Sequence, residues 1–395
     1  MPRIPTRSML YGATFVLAAG GLYLGQSQLD VRAQSQDMVE GPILEVDPLW
    51  PKPLPNHWLL GATIGVWVDD DDLVWIIHRS SATLHDNEKS AELDPVVSEC
   101  CVGAPPILAF NQAGDLVHAF GGVAEGFEWP ESNHGITVDH QGYLWIGGNG
   151  ENDAHILKLT KEGEVVLQVG SLGGNAGSND RENFGRVAEL WVDPEANELY
   201  LADGYLNKRV AVLDNDTGEM KRYWGAYGNV PDDTPHGPYD PTAEPAQQFR
   251  NPVHCVEQPV DGLIYVCDRQ ANRLQVFNPD GTFVKEAFFG VNTLGSGAVW
   301  DIAFSRDPEN RFIYIADGQN KRVRIVERET LEEIGSFGDG GRQPGQFYGV
   351  HSIATDSAGN VYTTETYEGK RVQRFLFQGV GEVPRGDRGV LWPGL

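Results

Sequence analysis

A single run of strands and turns returns along this chain, and it limits the fold more than any other feature. A short apolar strand ends in an acidic residue, a Gly- or Asn-containing turn follows, and Asn-x-Arg or a close variant opens the next strand. The clearest copies are Leu199–Val210 (Leu-Tyr-Leu-Ala-Asp-Gly-Tyr-Leu-Asn-Lys-Arg-Val), Ile264–Leu274 and Ile313–Val323. Weaker copies run from Leu73 to Arg79, from Leu144 to Leu157 and from Val361 to Val372. Six copies, roughly 45 to 70 residues apart, predict six blades of four antiparallel strands. Arranged radially, such sheets leave few free edges, so the expected fold is an all-β, six-bladed β-propeller with a central channel. The ring takes in about residues 60–380. It is preceded by an N-terminal extension over 34–59 and followed by a C-terminal tail over 381–395. A closed ring also explains how a chain of 395 residues stays one domain.

Composition agrees with an all-β chain rich in turns, with 47 Gly and 24 Pro. A formal charge of −26 argues against nucleic acid, whose binding needs a basic patch, and against a polybasic membrane surface. Arg3 and Arg7 flank an uncharged run from Met9 to Leu29, and Val31-Arg32-Ala33 offers small residues for a signal peptidase. Residues 1–33 therefore read as a signal peptide, with an uncleaved membrane anchor as the alternative. Either way the folded part is expected to be secreted or periplasmic, and a monomer. Four cysteines suit an oxidising compartment; Cys255 and Cys267 can pair across neighbouring strands, and Cys100-Cys101 lie in a long loop. That loop, from about Ser80 to Pro106, and the stretch from Gly170 to Asp180 read as surface insertions.

The innermost strand of each blade lines the channel, so its first residues are the natural place for chemistry. Aligned on that strand, the repeats present Ile64, His134, Ala188, His254, Trp300 and His351. Ten histidines in 395 residues put one at a given position about once in forty, yet histidine fills every second slot here. Taken singly, each is better explained as a buried, hydrogen-bonded structural residue. Three imidazoles converging from alternate blades instead make a zinc site with one coordination position open; iron and copper accept the same ligands.

A second position, just past the end of the second strand, carries Arg79, Tyr205 and Arg269 where other blades place Gly or Thr. These three depart from the repeat and are candidates for function. Arg209, Arg273, Arg322 and Arg371 recur at one position and are expected to pair with the repeat's own carboxylates, such as Asp203, Asp268 and Asp317. The run Asp69–Asp72 reads as a solvated hairpin turn.

At these residues the chain resembles peptidyl-α-hydroxyglycine α-amidating lyase, an NHL-repeat propeller, from about Gly61 to Phe377. The pieces that carry the resemblance are Ile77-His78-Arg79, His134-Gly135-Ile136, Asp203-Gly204-Tyr205 with Asn207, Asp268-Arg269 with Asn272-Arg273, and Val350-His351-Ser352. The resemblance implies zinc on His134, His254 and His351. It implies Tyr205 beside the metal as proton acceptor or electrostatic partner, and Arg79 and Arg269 on the substrate carboxylate. It also implies calcium in the channel, held partly by the backbone carbonyls of Val66 and Ile136. The chain departs from the family at Ser352, where an acidic calcium ligand is expected, and at Leu206, where a disulfide cysteine would follow the tyrosine.

The reaction so implied cleaves a carbinolamide, R-CO-NH-CH(OH)-COOH, to an amide and glyoxylate. A Lewis-acid zinc lowers the pKa of the hydroxyl, a tyrosine takes its proton, and guanidinium groups suit the carboxylate by their bidentate geometry. The expected partner is thus a peptide or small molecule with a free carboxylate. Two other readings stay open. One is a metal-dependent, lactonase-like propeller hydrolase, although the sequence shows no paired acidic channel ligands of the usual kind. The other is an NHL-repeat scaffold that binds without catalysis.

Overall fold

In the computed structural model, which describes residues 37–394, the alternating apolar strands fold into the expected six-bladed β-propeller. The inner strands are Thr63–Val68, Asn133–Val138, Val187–Asp193, Val253–Glu257, Asp301–Phe304 and Val350–Thr355. Each begins an antiparallel four-stranded sheet. The segment 1–33, read as a signal peptide, lies outside the described residues. Among those described, no helix is long and apolar enough to cross a membrane.

The blades hold together face to face. Six apolar clusters lie one at each interface between neighbouring blades, including the one that joins the sixth to the first. The second strand of every blade supplies a large aromatic, namely Trp75, Trp145, Tyr200, Tyr265, Tyr314 and Tyr362, each almost wholly buried. Burial of apolar area at about 25 cal/mol per Å² makes these interfaces the main stabilising contribution.

Closure of the ring uses both ends of the propeller chain. Residues 38–47, placed by sequence in the N-terminal extension, form the outer strand of the sixth blade. They pair antiparallel with Arg371–Pro384 and sink Leu44 and Val46 into the cluster against the fifth blade. Residues of the C-terminal segment, Gly386–Asp387, add a short parallel strand to the edge of the fifth blade. The long insertion sits beside the same seam, where Glu88 meets Lys370 of the sixth blade at 2.6 Å. Disulfides join Cys255 to Cys267, opposite each other on neighbouring strands, and Cys100 to Cys101 within the insertion.

Most of the repeat's arginines pair as expected. Arg209 meets Asp203 at 2.7 Å and Arg273 meets Asp268 at 2.9 Å, all four side chains fully buried. Arg371 meets Glu365 in the sixth blade. The fifth blade corrects the expectation for Arg322. It stands opposite Asp317 in the ladder, but its guanidinium turns to Asp387 of the added C-terminal strand. Arg324, two residues on and therefore on the same face, takes Asp317 at 2.6 Å. The run Asp69–Asp72 is more than a solvated turn, because buried Asp69 accepts hydrogen bonds from the Leu73 amide and the Trp75 indole.

These pairs differ sharply in worth. Asp203→Ala strands a buried guanidinium and should cost about 3–5 kcal/mol. Asp387→Ala, on a carboxylate 66% exposed, should cost less than about 1 kcal/mol. Denaturant unfolding of the two variants measures the difference.

Candidate metal centre

The site is made by a fault in the strand register. Five of the six inner strands carry one at their head, at Thr63/Gly65, Asn133/Ile136, Val187/Glu189, Val253/Cys255 and Val350/Ser352. Each is a β-bulge, and a bulge adds an unpaired residue and re-aims its side chain. The skipped residues include Ile64, His134, Ala188, His254 and His351, the channel positions picked out by the repeat. In the fifth blade Trp300 stands just ahead of its strand. Neighbouring inner strands approach so closely here that a Cβ on Gly135 would lie 2.8 Å from the Ala188 carbonyl oxygen.

The three histidines meet as predicted. Their ring centroids are 5.1 Å (His134 to His254), 4.9 Å (His134 to His351) and 4.9 Å (His254 to His351) apart, close to an equilateral triangle. The other three slots hold them in place. Nδ1 of His134 donates to the Ala188 carbonyl at 2.6 Å, Nδ1 of His351 to the Ile64 carbonyl at 2.7 Å, and Nδ1 of His254 to the Trp300 carbonyl. A carbonyl only accepts, so each Nδ1 carries the proton and each Nε2 is free to coordinate. Burial keeps the imidazoles neutral, with His134 and His254 held well below the usual histidine range and His351 down to about 3. Three neutral nitrogens facing one point are the donor set of a catalytic-type zinc site.

Tyr205 and Arg269 join this centre. The Tyr205 hydroxyl lies 2.8 Å from His134 Nε2, 3.0 Å from His254 Nε2 and 3.1 Å from Arg269 Nη1. Arg269 stacks over the Trp300 indole, 4.7 Å from its centroid. Its Nε is buried without a partner among the described residues. Arg79 approaches from the first blade and spends Nη2 on Asn149 at 2.8 Å and Nε on the Asn133 carbonyl at 3.3 Å.

Below the imidazoles lies a group that the sequence reading missed. A cavity of about 10 Å³, large enough for one ion or water, is lined by Val66, Ile136, Glu189, Asp301 and Ser352 beside the three histidines. Glu189 and Asp301 come from the third and fifth blades, at the residue after the slot. The expectation that the channel lacks paired acidic groups is therefore corrected. Burial pushes Asp301 up to about 7 and Glu189 well above the carboxylate range. Ser352 donates to Asp301 at 2.6 Å, so the serine supports a carboxylate brought from a neighbouring blade. Cys255 is close to both acids, but its sulfur is spent in the disulfide. Two carboxylates with backbone oxygens nearby fit a hard cation such as calcium. The signal was available in sequence as two acids at one repeat position in alternate blades, but Gly65 in the first blade leaves that set without a third member.

No family model matches the chain. It is 31% identical over 156 residues to peptidyl-glycine alpha-amidating monooxygenase A of Xenopus laevis, covering 39% of this chain and 15% of that protein. The mouse amidating monooxygenase is 27% identical over 239 residues, 59% of this chain and 22% of its own length. The chain thus matches less than a quarter of either amidating protein. NHL repeat-containing protein 3 of mouse is 25% identical over 316 residues, 76% of this chain and 74% of that one. The repeats are of the NHL type. Among solved structures, virginiamycin B lyase from Staphylococcus aureus aligns with a TM-score of 0.48 and 15% identity, over 88% of this chain and 89% of that one.

The donor set predicts metal stoichiometry. Purified protein dialysed against zinc should retain about one ion per chain by elemental analysis. His254→Ala, left with two imidazoles, should lose it while keeping its β-sheet circular dichroism.

Proposed function

We propose that this chain is a zinc-dependent lyase that cleaves an α-hydroxyglycine compound to an amide and glyoxylate, as its resemblance to the amidating lyases implies. The observation that carries the reading is one hydroxyl, that of Tyr205, placed against two histidine Nε2 atoms and one arginine. Zinc, when bound by His134, His254 and His351, supplies the Lewis acidity that weakens the substrate's O–H bond.

The remaining work falls to side chains of this chain. Arg269 keeps a donor without a partner and, with Arg79, binds the substrate carboxylate. That contact fixes the carbinol carbon beside Tyr205. The Tyr205 hydroxyl gives its proton to the amide nitrogen as the C–N bond breaks and takes the carbinol proton in its place, leaving an amide and an aldehyde carbonyl on glyoxylate. Fixed Nδ1 hydrogen bonds keep the imidazoles from turning, so the geometry does not have to be assembled during turnover. Calcium, the second ion of the resemblance, would draw on Glu189 and Asp301, whose cavity Val66 and Ile136 also line. The substrate is taken to be a peptide or small molecule with a free carboxylate, met outside the cytoplasm, where two disulfides persist.

A second reading, a lactonase-like hydrolase, is favoured by the buried carboxylates Glu189 and Asp301, because acidic channel ligands suit metal-activated water. The two are told apart by product. Zinc-loaded protein should release glyoxylate from an α-hydroxyglycine peptide; lactone opening without glyoxylate would decide for the hydrolase.

Within the lyase reading, Tyr205→Phe removes one oxygen and should lower kcat by roughly 10²–10⁴ with little change in KM. Arg269→Ala should raise KM as well as lower kcat. Both follow from glyoxylate release at matched zinc content.

A further inference from the structure

The channel opens at its other end into a cavity of about 540 Å³, within the range of small-molecule sites. Its inner wall is set by the residue three places after each slot. Around the ring these are Trp67, Thr137, Trp191, Glu257, Ala303 and Ala354. Two indoles from the first and third blades therefore face two alanines from the fifth and sixth. The small side chains leave the space that the large ones border, and Glu257 stands between the two groups. Trp67, Trp191, Glu257, Ala303 and Ala354 all line the cavity.

Charge in this mouth is one-sided. Its lining includes Asp69, Asp70, Asp71, Asp139 and Glu257 against the cations Lys161 and Arg306. Lys161 is already paired with carboxylates, and Arg306 is held on Thr355 with its charge also reaching Glu257. Lys161 lies 2.7 Å from Asp69 and 3.5 Å from Asp71, while Arg306 donates to the side chain and carbonyl of Thr355. Asp139 is likewise paired, with Lys158 at 3.1 Å. The Glu257 carboxylate is half-buried and makes no hydrogen bond among the described residues. Burial and the nearby Asp301 push it well above the usual carboxylate range while Arg306 pulls the other way, so a cation bound beside it would draw it toward the ionised form.

We propose that this far mouth is a second binding site, separate from the imidazole centre, for a small organic ammonium ion. Indole faces attract such a cation through the ring quadrupole, and a carboxylate at the edge fixes it. A bare metal ion would gain little from the indoles, and an anion would meet the carboxylates.

Isothermal titration of the full-length protein with tetramethylammonium chloride tests this. Neopentyl alcohol serves as a neutral probe of similar shape, and sodium chloride at equal ionic strength as the salt control. Saturable heats are expected for tetramethylammonium alone. Glu257→Gln and Trp67→Leu should each weaken binding at least tenfold. Trp67 is only half-buried, so its variant should fold even where one at the more buried Trp191 fails. Tyr205→Phe, at the opposite mouth, should bind as the wild type does. Heats equal to those of sodium chloride, equal affinity for the alcohol, or unchanged binding in both Glu257→Gln and Trp67→Leu would overturn the proposal.

Discussion

The innermost strand of each blade is a sheet edge, and where it stays in register its side chains alternate between the two faces of the blade instead of turning toward the axis. The bulges at Thr63/Gly65, Asn133/Ile136, Val187/Glu189, Val253/Cys255 and Val350/Ser352 break that rule at one level of the ring. Each releases a side chain and, in the same residue, a carbonyl. Released side chains of the second, fourth and sixth blades are the three imidazoles. In the first and third blades the released residues are Ile64 and Ala188, whose carbonyls hold two imidazoles from behind, and in the fifth, which has no such bulge, the carbonyl of Trp300 just ahead of the strand holds the third. The same backbone irregularity thus provides both the ligands and the groups that orient them, and it reduces a sixfold scaffold to a threefold site.

That division of labour explains which slots are chemically constrained. A carbonyl is common to all residues, so Ile64, Ala188 and Trp300 can differ freely in size while doing the same thing. Trp300 adds a second contribution through its side chain. Its indole supports Arg269 from one face and packs edge-on against His351 at 5.5 Å. Anchored there, Arg269 reaches Tyr205, whose hydroxyl reaches His134 and His254. Four residues from three blades are thus fixed relative to one another through short, mostly buried contacts, which is what a reacting group needs.

Legibility in the sequence follows the same line between side chain and backbone. The blades could be read because each repeats a strand pattern, and the histidines because residue type alternates in one register. The carbonyl clamps could not, since any residue supplies them, and the bulges leave no mark in residue type. Glu189 and Asp301 escaped because only two of the three alternate blades carry an acid there, the first having Gly65, and because they differ in residue type. The error at Arg322 was a different one. Its ladder partner was right, but the strand Gly386–Asp387 arrives from far along the chain and offers a nearer carboxylate. Likewise residues 38–47 pair with a strand more than three hundred positions away, a contact that no local pattern encodes.

Along its axis the channel changes sign, and this bears on how a ligand can use it. Arg79 and Arg269 stand at the near mouth, neutral imidazoles occupy the next level, and Glu189, Asp301 and Glu257 lie beneath them. In a narrow, poorly solvated channel these charges are weakly screened and act over several ångströms. An anion is drawn to the arginines at the near mouth, whereas the acidic levels, whose carboxyls burial pushes toward the protonated form, gain charge when a cation arrives beside them. A cation meets the reverse order and settles from the far mouth. The acids also bear on the imidazoles, because a positive ion held by three neutral nitrogens is stabilised by carboxylates one level below. Most of the chain's −26 charge lies on its surface and serves solubility. These few buried acids instead give the channel a direction.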